Sequence, residues 1–221
     1  QAAIWRMVEA QHTAATMKIV DSHEEQDILE TLIEGAKPVS PVQGLGLYYL
    51  LASPFRYPPR HPGGSRFRAP TDPGVFYGAG SVHTAAAELG YWRWRFLRDA
   101  VDLEILDPVA HTAFKTKVRG KAVDLRRPPF DRDAPSWRDP ASYQATQAFG
   151  RQARAAGIDA IIYQSVRDPR PGWCAAILDA ATFARPRPEP AQQTWRLAVY
   201  ADHVAWRREQ ETLSFAFAFP E

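Results

Sequence analysis

Arg56, Arg66 and Arg68, the adjacent Gly63 and Gly64, Tyr77 and Glu88 lie within one turn-rich stretch of a 221-residue chain, residues 55–88, FRYPPRHPGGSRFRAPTDPGVFYGAGSVHTAAAE. A guanidinium forks two hydrogen bonds onto a phosphate or carboxylate, and glycines let backbone N–H groups approach the same anion. Loops rich in Gly and Pro that carry arginine more often bind a ligand than fill a core. The plain alternative is that the arginines only solvate the loop, as exposed charges usually do. Tyr77, in VFYGA, offers a flat ring with a polar hydroxyl, although most strand aromatics pack in cores. Phe76 and Tyr77 must point to opposite faces of a strand, so only one of them reaches a given site. Glu88 closes TAAAE just inside a helix, where a carboxylate also suits the positive helix terminus. Later in the chain comes IIYQSVRDPR, with Ser165 at a strand end and Arg167 two residues on. No His neighbours Ser165 and no G-x-S-x-G elbow surrounds it, so nothing makes it a nucleophile.

This ordered set resembles the RES domain family, named for an arginine, a glutamate and a serine. The resemblance covers roughly residues 47–183. It implies a bacterial toxin that consumes NAD+ as substrate, with no metal. Arg56 matches the family's first arginine and Arg66, in GGSRF, its second, with Arg68 a rival for the second place. By the same resemblance Glu88, Ser165 and Arg56 are the catalytic candidates, and Arg66, Arg68, Tyr77 and Arg167 bind NAD+. Cleavage of the nicotinamide–ribose bond builds positive charge on the ribose, which a carboxylate at Glu88 stabilises. Tyr77 stacks on the cationic nicotinamide ring, and Ser165 orients substrate by hydrogen bonding. The ADP-ribose acceptor is water, phosphate or a protein side chain, and the residues do not choose among them. The family further implies a helix-turn-helix antitoxin that covers the active site, nucleic acid contact only through that antitoxin, and an α+β fold with an ADP-ribosyltransferase-like split β-sandwich core and flanking helices. The candidate antitoxin surface is the loop at 63–68 with the proline-rich segment at 128–137, which carries Phe130 and Trp137.

The elements that position these residues follow from local pattern. Residues 21–38 form a helix capped by Asp21 or Ser22, with Ile28, Leu29, Leu32 and Ile33 on one face and a stop at Gly35. Residues 4–20 show no clear period. LGLYYLLASPF, at 45–55, reads as a buried strand leading into the arginine loop. VFYGA is a short strand, and Ser81 caps a helix over about 82–99, in which Trp92 and Phe96 share one side and Arg95 and Arg98 another. VDLEILDP alternates as a half-buried strand, and AFKTKV and KAVDL read as a hairpin. Asp139 and Pro140 start a helix that ends at Gly157. DAIIYQSV and WCAAILDA are two strands around DPRPG; TWRLAVYA and HVAWRRE form a hairpin; ETLSFAFAFPE is a last strand with Leu213, Phe215, Phe217 and Phe219 alternating. Short strands and a few helices without a βαβ rhythm indicate α+β, read as a single domain over 1–221 with an N-terminal helical extension, 1–46, and a C-terminal β extension, 184–221.

Composition sets the outer bounds. Hydrophobic residues make up 45% and charged residues 24%, the balance of a globular domain. A net charge of +2 supports no strong polyanion binding, and YWRWRFLR reads as an amphipathic helix before a base-stacking surface. One cysteine, Cys174, excludes an internal disulfide and a multi-cysteine zinc site and fits a reducing, cytoplasmic setting. HEEQD is not H-E-x-x-H, and the six histidines are scattered. No apolar run approaches the roughly 20 residues of a membrane helix, and QAAIWRMVEA lacks the apolar region of a signal peptide. GLG at 44–46 lacks the third glycine of a dinucleotide fingerprint. The alternative to an enzyme is a non-enzymatic protein-interaction or nucleic-acid-binding module built on the arginine and aromatic surface.

Overall fold

The computed structural model describes residues 1–10, 22–36, 45–59, 61–100 and 105–218, with positions 38, 42 and 103. Expectations placed on Asp21, Phe219 and most of 10–20 and 101–104 lie outside the described residues.

Among the described residues nine strands run β1 (Ala2–Glu9), β2 (Phe76–Ala79), β3 (Leu106–Val118), β4 (Ala122–Asp124), β5 (Ala160–Gln164), β6 (Trp173–Ile177), β7 (Gln193–Val199), β8 (His203–Arg208) and β9 (Glu211–Ala216). They join in one mixed sheet of order β4-β5-β6-β2-β1-β3-β7-β8-β9. Only β4 and β5 are parallel. The sequence reading of a split β-sandwich is therefore replaced by one hydrogen-bonded sheet. Its thinnest point is the β1–β2 junction, with the single register pair Trp5↔Ala79. β2 is four residues long and already spends its other edge on β6.

The helices are α1 (His23–Ala36), α2 (Tyr49–Arg56), α3 (Val82–Asp99), the one-turn α4 (Ala134–Trp137) and α5 (Gln144–Ala155). Two buried clusters lie on opposite faces of the sheet. One joins α3 and α5 to Met7, Ala79, Tyr163, Cys174 and Trp206. The other joins Leu51 and Phe55 of α2 to Ile4, Phe76, Phe114 and Ile177. Period-2 alternation makes this division: Phe76 belongs to the second cluster, and its neighbour Tyr77 packs against the first.

Several local expectations change. Residues 49–56 are helical, not extended, because Leu51 and Phe55 at i, i+4 bury one face against the sheet while the flanking tyrosines and serine stay outside. KAVDL does not fold back on β3; β4 pairs with β5 instead, through Ala122↔Ala160, Val123↔Ile161 and Asp124↔Ile162. Residues 2–9 form a strand at mid-sheet, paired along its length with β3. The Asp139 carboxylate accepts from the N–H groups of Ala141 and Ser142, both at 2.8 Å, so it holds a turn, and α5 begins only at Gln144. On α3 it is Tyr91, Trp94 and Leu97 that are buried, with Trp92 and Phe96 outside. Ile28, Leu32 and Ile33 of α1 are likewise exposed.

α2 reaches the sheet through a glycine. A Cβ on Gly74 would fall inside contact distance of Phe55 Cα and Pro54 O, atoms that cannot rotate aside. Gly74→Ala is therefore expected to lower the unfolding free energy by about 1–3 kcal/mol, seen as a lower urea midpoint at unchanged slope. An unchanged midpoint would mean that α2 shifts freely on the sheet.

Candidate active site

Ser81 caps α3: its hydroxyl oxygen accepts from the Thr84 N–H at 3.1 Å. Ala85, Ala86 and Ala87 are buried on the sheet, and Glu88 follows about two turns in from the cap, at the edge of that contact. Ser165 comes one residue after β5 and is 4% exposed. Its hydroxyl donates to Glu88 Oε1 at 2.6 Å, a length typical of a hydroxyl on a carboxylate. The Ser165 oxygen also accepts from the N–H groups of Arg167, at 3.3 Å, and Asp168, at 3.0 Å. A serine hydroxyl has one proton and two lone pairs. With both lone pairs engaged by backbone donors, the proton is aimed at Glu88. Ser165 is thus a fixed donor to the carboxylate.

Beneath this pair lies a floor of low polarity. Tyr163 and Cys174 face each other across β5 and β6, both buried. Burial first, then the neighbouring Glu88, pushes the Cys174 thiol well above its ordinary range. Burial also pushes the Tyr163 hydroxyl well up, reinforced by Cys174 and Glu88. Both groups therefore stay neutral and protonated beside the carboxylate.

Tyr77 organises the arginine loop. Its hydroxyl accepts from the Phe67 N–H at 2.9 Å and pairs with Ser65 Oγ at 2.8 Å. Burial raises its pKa to about 12, so it stays a phenol. The loop turns at Gly64, φ +81°, where any Cβ would strike the Arg68 carbonyl. Gln147 of α5 donates to the carbonyls of Gly63 and Ser65 at 2.8 and 3.1 Å.

The arginines separate. Arg66, 8% exposed, donates from Nη1 to the carbonyls of Trp137 and Asp139, both at 3.0 Å, and stacks 4.8 Å from the Tyr143 ring. Its positive charge bears on Tyr77, Tyr163 and Cys174. Its Nε and Nη2 hold no hydrogen bond to a described residue. Arg68 turns toward the carbonyls of Tyr57 and Asp72, and burial lowers its pKa. Arg56 sits on α2, which packs on the opposite face of the sheet, and bonds to the Pro38 carbonyl. Arg167 lies 3.5 Å over the Tyr91 ring and donates to the Pro140 carbonyl at 2.7 Å. Beside it a cleft of about 260 Å³ is lined by Tyr91, Arg167, Asp168, Pro169 and, from the end of β9, Ala216 and Phe217. Glu88, Ser165, Tyr77 and Arg66 are thus gathered on one face of the sheet, Arg167 flanks them, Arg68 is tied to the carbonyls of Tyr57 and Asp72, and Arg56 stands apart.

Phe130 and Trp137 are not free anchors. Both pack on Phe149, and the Trp137 indole donates to the Phe130 carbonyl at 2.7 Å. The proline-rich segment instead supplies backbone carbonyls to Arg66, which residue types alone could not reveal. Gln147, Thr84, His83 and Asp168 are further polar groups at the site that the sequence reading passed over. Among the described residues no group of three or more His, Cys, Asp or Glu is placed to hold a metal, and no helix is long and apolar enough to cross a membrane.

The model of the RES domain matches residues 42–199. The chain belongs to the RES domain family. The matched segment takes in α2, α3 and α5 and β2 through β7, and so every candidate site residue. No curated protein matches the chain. Among solved structures, a chain of the M. tuberculosis MbcT–MbcA toxin–antitoxin complex is similar at 11% identity and a TM-score of 0.47, over 97% of this chain and 84% of that one.

Removing the Tyr77 hydroxyl leaves the N–H of buried Phe67 without its partner. Tyr77→Phe is expected to cost about 1–3 kcal/mol of stability and to speed hydrogen exchange at the Phe67 amide above that of β5 amides. Unaltered exchange at Phe67 would show that the hydroxyl does not hold the loop.

Proposed function

We propose that this RES domain cleaves the nicotinamide–ribose bond of NAD+ and transfers ADP-ribose to a protein side chain, phosphate or water, acting as the toxin of a toxin–antitoxin pair. The observation that carries the reading is the Glu88 carboxylate held by the Ser165 proton at 2.6 Å, in a chain that belongs to the RES family. NAD+ enters as substrate. As the C1′–N bond breaks, its electron pair leaves with nicotinamide, which departs neutral, and positive charge develops at C1′. One Glu88 oxygen is engaged by Ser165, which leaves the other to face that charge or a ribose hydroxyl. The neutral floor of Tyr163 and Cys174 keeps the local dielectric low, so the carboxylate acts strongly at short range. A lone pair of the acceptor then forms the new bond to C1′, which quenches the charge, and any proton the acceptor carried passes to solvent.

Arg66 suits the pyrophosphate: it is buried, anchored through Nη1, and presents Nε and Nη2. Tyr77 lines the same loop, and Arg167 serves at the flank. A helix-turn-helix antitoxin covering this face restrains the activity in a bacterial cytoplasm. A second reading, a contact module without turnover, draws support from the exposed Trp92 and Phe96 on the outer side of α3. Incubation with labelled NAD+, following nicotinamide, free ADP-ribose products and labelled protein in lysate together, separates the two. A folded, antitoxin-free chain that releases no nicotinamide with any acceptor would sink the enzymatic reading.

Glu88→Gln is nearly isosteric and is expected to lower kcat by about a hundred- to a thousandfold at unchanged melting temperature. Turnover at the parent rate would remove Glu88 from the chemistry.

Arg66→Ala is expected to raise KM for NAD+ by about ten- to a hundredfold, whereas Arg68→Ala leaves KM within about threefold and acts on stability. The reverse pattern would move the pyrophosphate contact to Arg68.

A further inference from the structure

We infer that Asp168 is a positioning residue that acts on Glu88 through Ser165; the inference rests on the role of Glu88 proposed above. Asp168 has a side chain only 1% exposed, on a loop, which is costly for a carboxylate unless donors surround it. They do. Thr84 Oγ1 donates to Asp168 Oδ2 at 2.8 Å, His83 Nδ1 lies 3.2 Å from the same oxygen, and the Arg170 N–H donates to Oδ1 at 3.0 Å. Arg170 Nε stands 3.7 Å from Oδ1. Burial alone would raise this carboxyl's pKa, but the bonds from Arg170, Thr84 and His83 prevail and hold it below the usual carboxylate range.

The geometry closes a ring. Thr84 and Glu88 are one turn apart on α3. Thr84 holds the Asp168 carboxylate, the Asp168 N–H holds Ser165 Oγ at 3.0 Å, and Ser165 holds Glu88 at 2.6 Å. Each link fixes the next, so the carboxylate at 168 determines where the Ser165 proton points. Gly172 supports the same ring independently. Its carbonyl accepts from the Ser165 N–H at 2.9 Å. A Cβ there would lie 2.5 Å from Thr84 Oγ1 and 2.6 Å from Asp168 Oδ2. The space at 172 is therefore taken by the Thr84–Asp168 contact itself.

A plain alternative is a buried clamp that only stabilises the loop. A double-mutant cycle separates the two. Nicotinamide release is measured on the full chain as wild type, Asp168→Asn, Thr84→Val, Ser165→Ala and the doubles Asp168→Asn/Ser165→Ala and Thr84→Val/Ser165→Ala. In Asn one carboxylate oxygen becomes an NH2 facing donors, so the clamp opens with little change in volume. Asp168→Asn is expected to lower kcat by about ten- to a hundredfold, the scale of a small misplacement, with KM within about twofold. In the Ser165→Ala background the same change is expected to cost nothing further. Equal losses in both backgrounds would overturn the inference, as would a rise in KM at unchanged kcat or no loss at all. Should Asp168→Asn not fold, the two Thr84→Val proteins carry the same cycle. Should the wild type release no nicotinamide, the proposed reaction fails, and the ring is read by NMR titration of the Glu88 carboxyl carbon in the same proteins. Asp168→Asn is then expected to move that titration further with Ser165 present than in its absence, the excess being the part carried by the hydroxyl. Equal shifts in both backgrounds, or none in either, would refute the ring.

Discussion

Ala85, Ala86 and Ala87 are all buried in one cluster with Met7 of β1 and Ala79 of β2. Side chains this small on the helix let α3 lie close on the sheet, and the rest of the site depends on that closeness. Glu88 is the first large side chain after the alanines and is half-buried at the edge of that contact. A bulkier floor would raise α3 and break the short bond to Ser165, since a hydrogen bond of 2.6 Å tolerates little displacement. Close packing thus fixes a polar geometry, and the neutral groups in the floor, Tyr163 and Cys174, follow from the same burial.

The arginine loop is held by a second principle, the satisfaction of backbone groups. Tyr77 takes the Phe67 N–H, Gln147 takes the carbonyls of Gly63 and Ser65, and Arg66 takes those of Trp137 and Asp139. A loop in which so many main-chain groups are tied down has lost much of its entropy before any ligand arrives. Arg66 is anchored by one nitrogen and presents the others, a division of labour open to a guanidinium and closed to an ammonium.

Much of this was legible in the sequence where local signals agree. The Ser81 cap and the alanine run mark α3 at Val82–Asp99, and VFYGA, DAIIYQ and WCAAI are strands by composition. The grouping of Glu88, Ser165, Tyr77 and Arg66 was readable only through the family's ordered motif, since no local rule brings residue 165 to residue 88. Other readings failed because tertiary partners decide them. Residues 49–56 have apolar residues enough for either period, and the face offered by Phe76 and Phe183 selects the helix. KAVDL pairs with β5, since a distant strand won over the nearer one. Arg56 and Arg66 are ten residues apart in a loop, yet α2 carries the first to the far side of the sheet. Asp168 carries no motif, because its role comes from Thr84 across the fold.

The sheet also shows how much of the chain the site requires. β1, from residues 2–9, lies outside the family-matched segment, yet it stands between β2 and β3 and pairs with β3 along its whole length. Without it, β3 would present a bare edge at mid-sheet, with a row of unpaired backbone donors and acceptors. Ile4 and Met7, one on each face, would leave both buried clusters at once. At the other end, β9 ends at Ala216, which with Phe217 just beyond it walls the cleft beside Arg167, and Phe217 packs on Tyr91 and Trp94 of α3. The helix that carries Glu88 is therefore seated by strands from both ends of the chain, and its position on the sheet is a property of the whole fold.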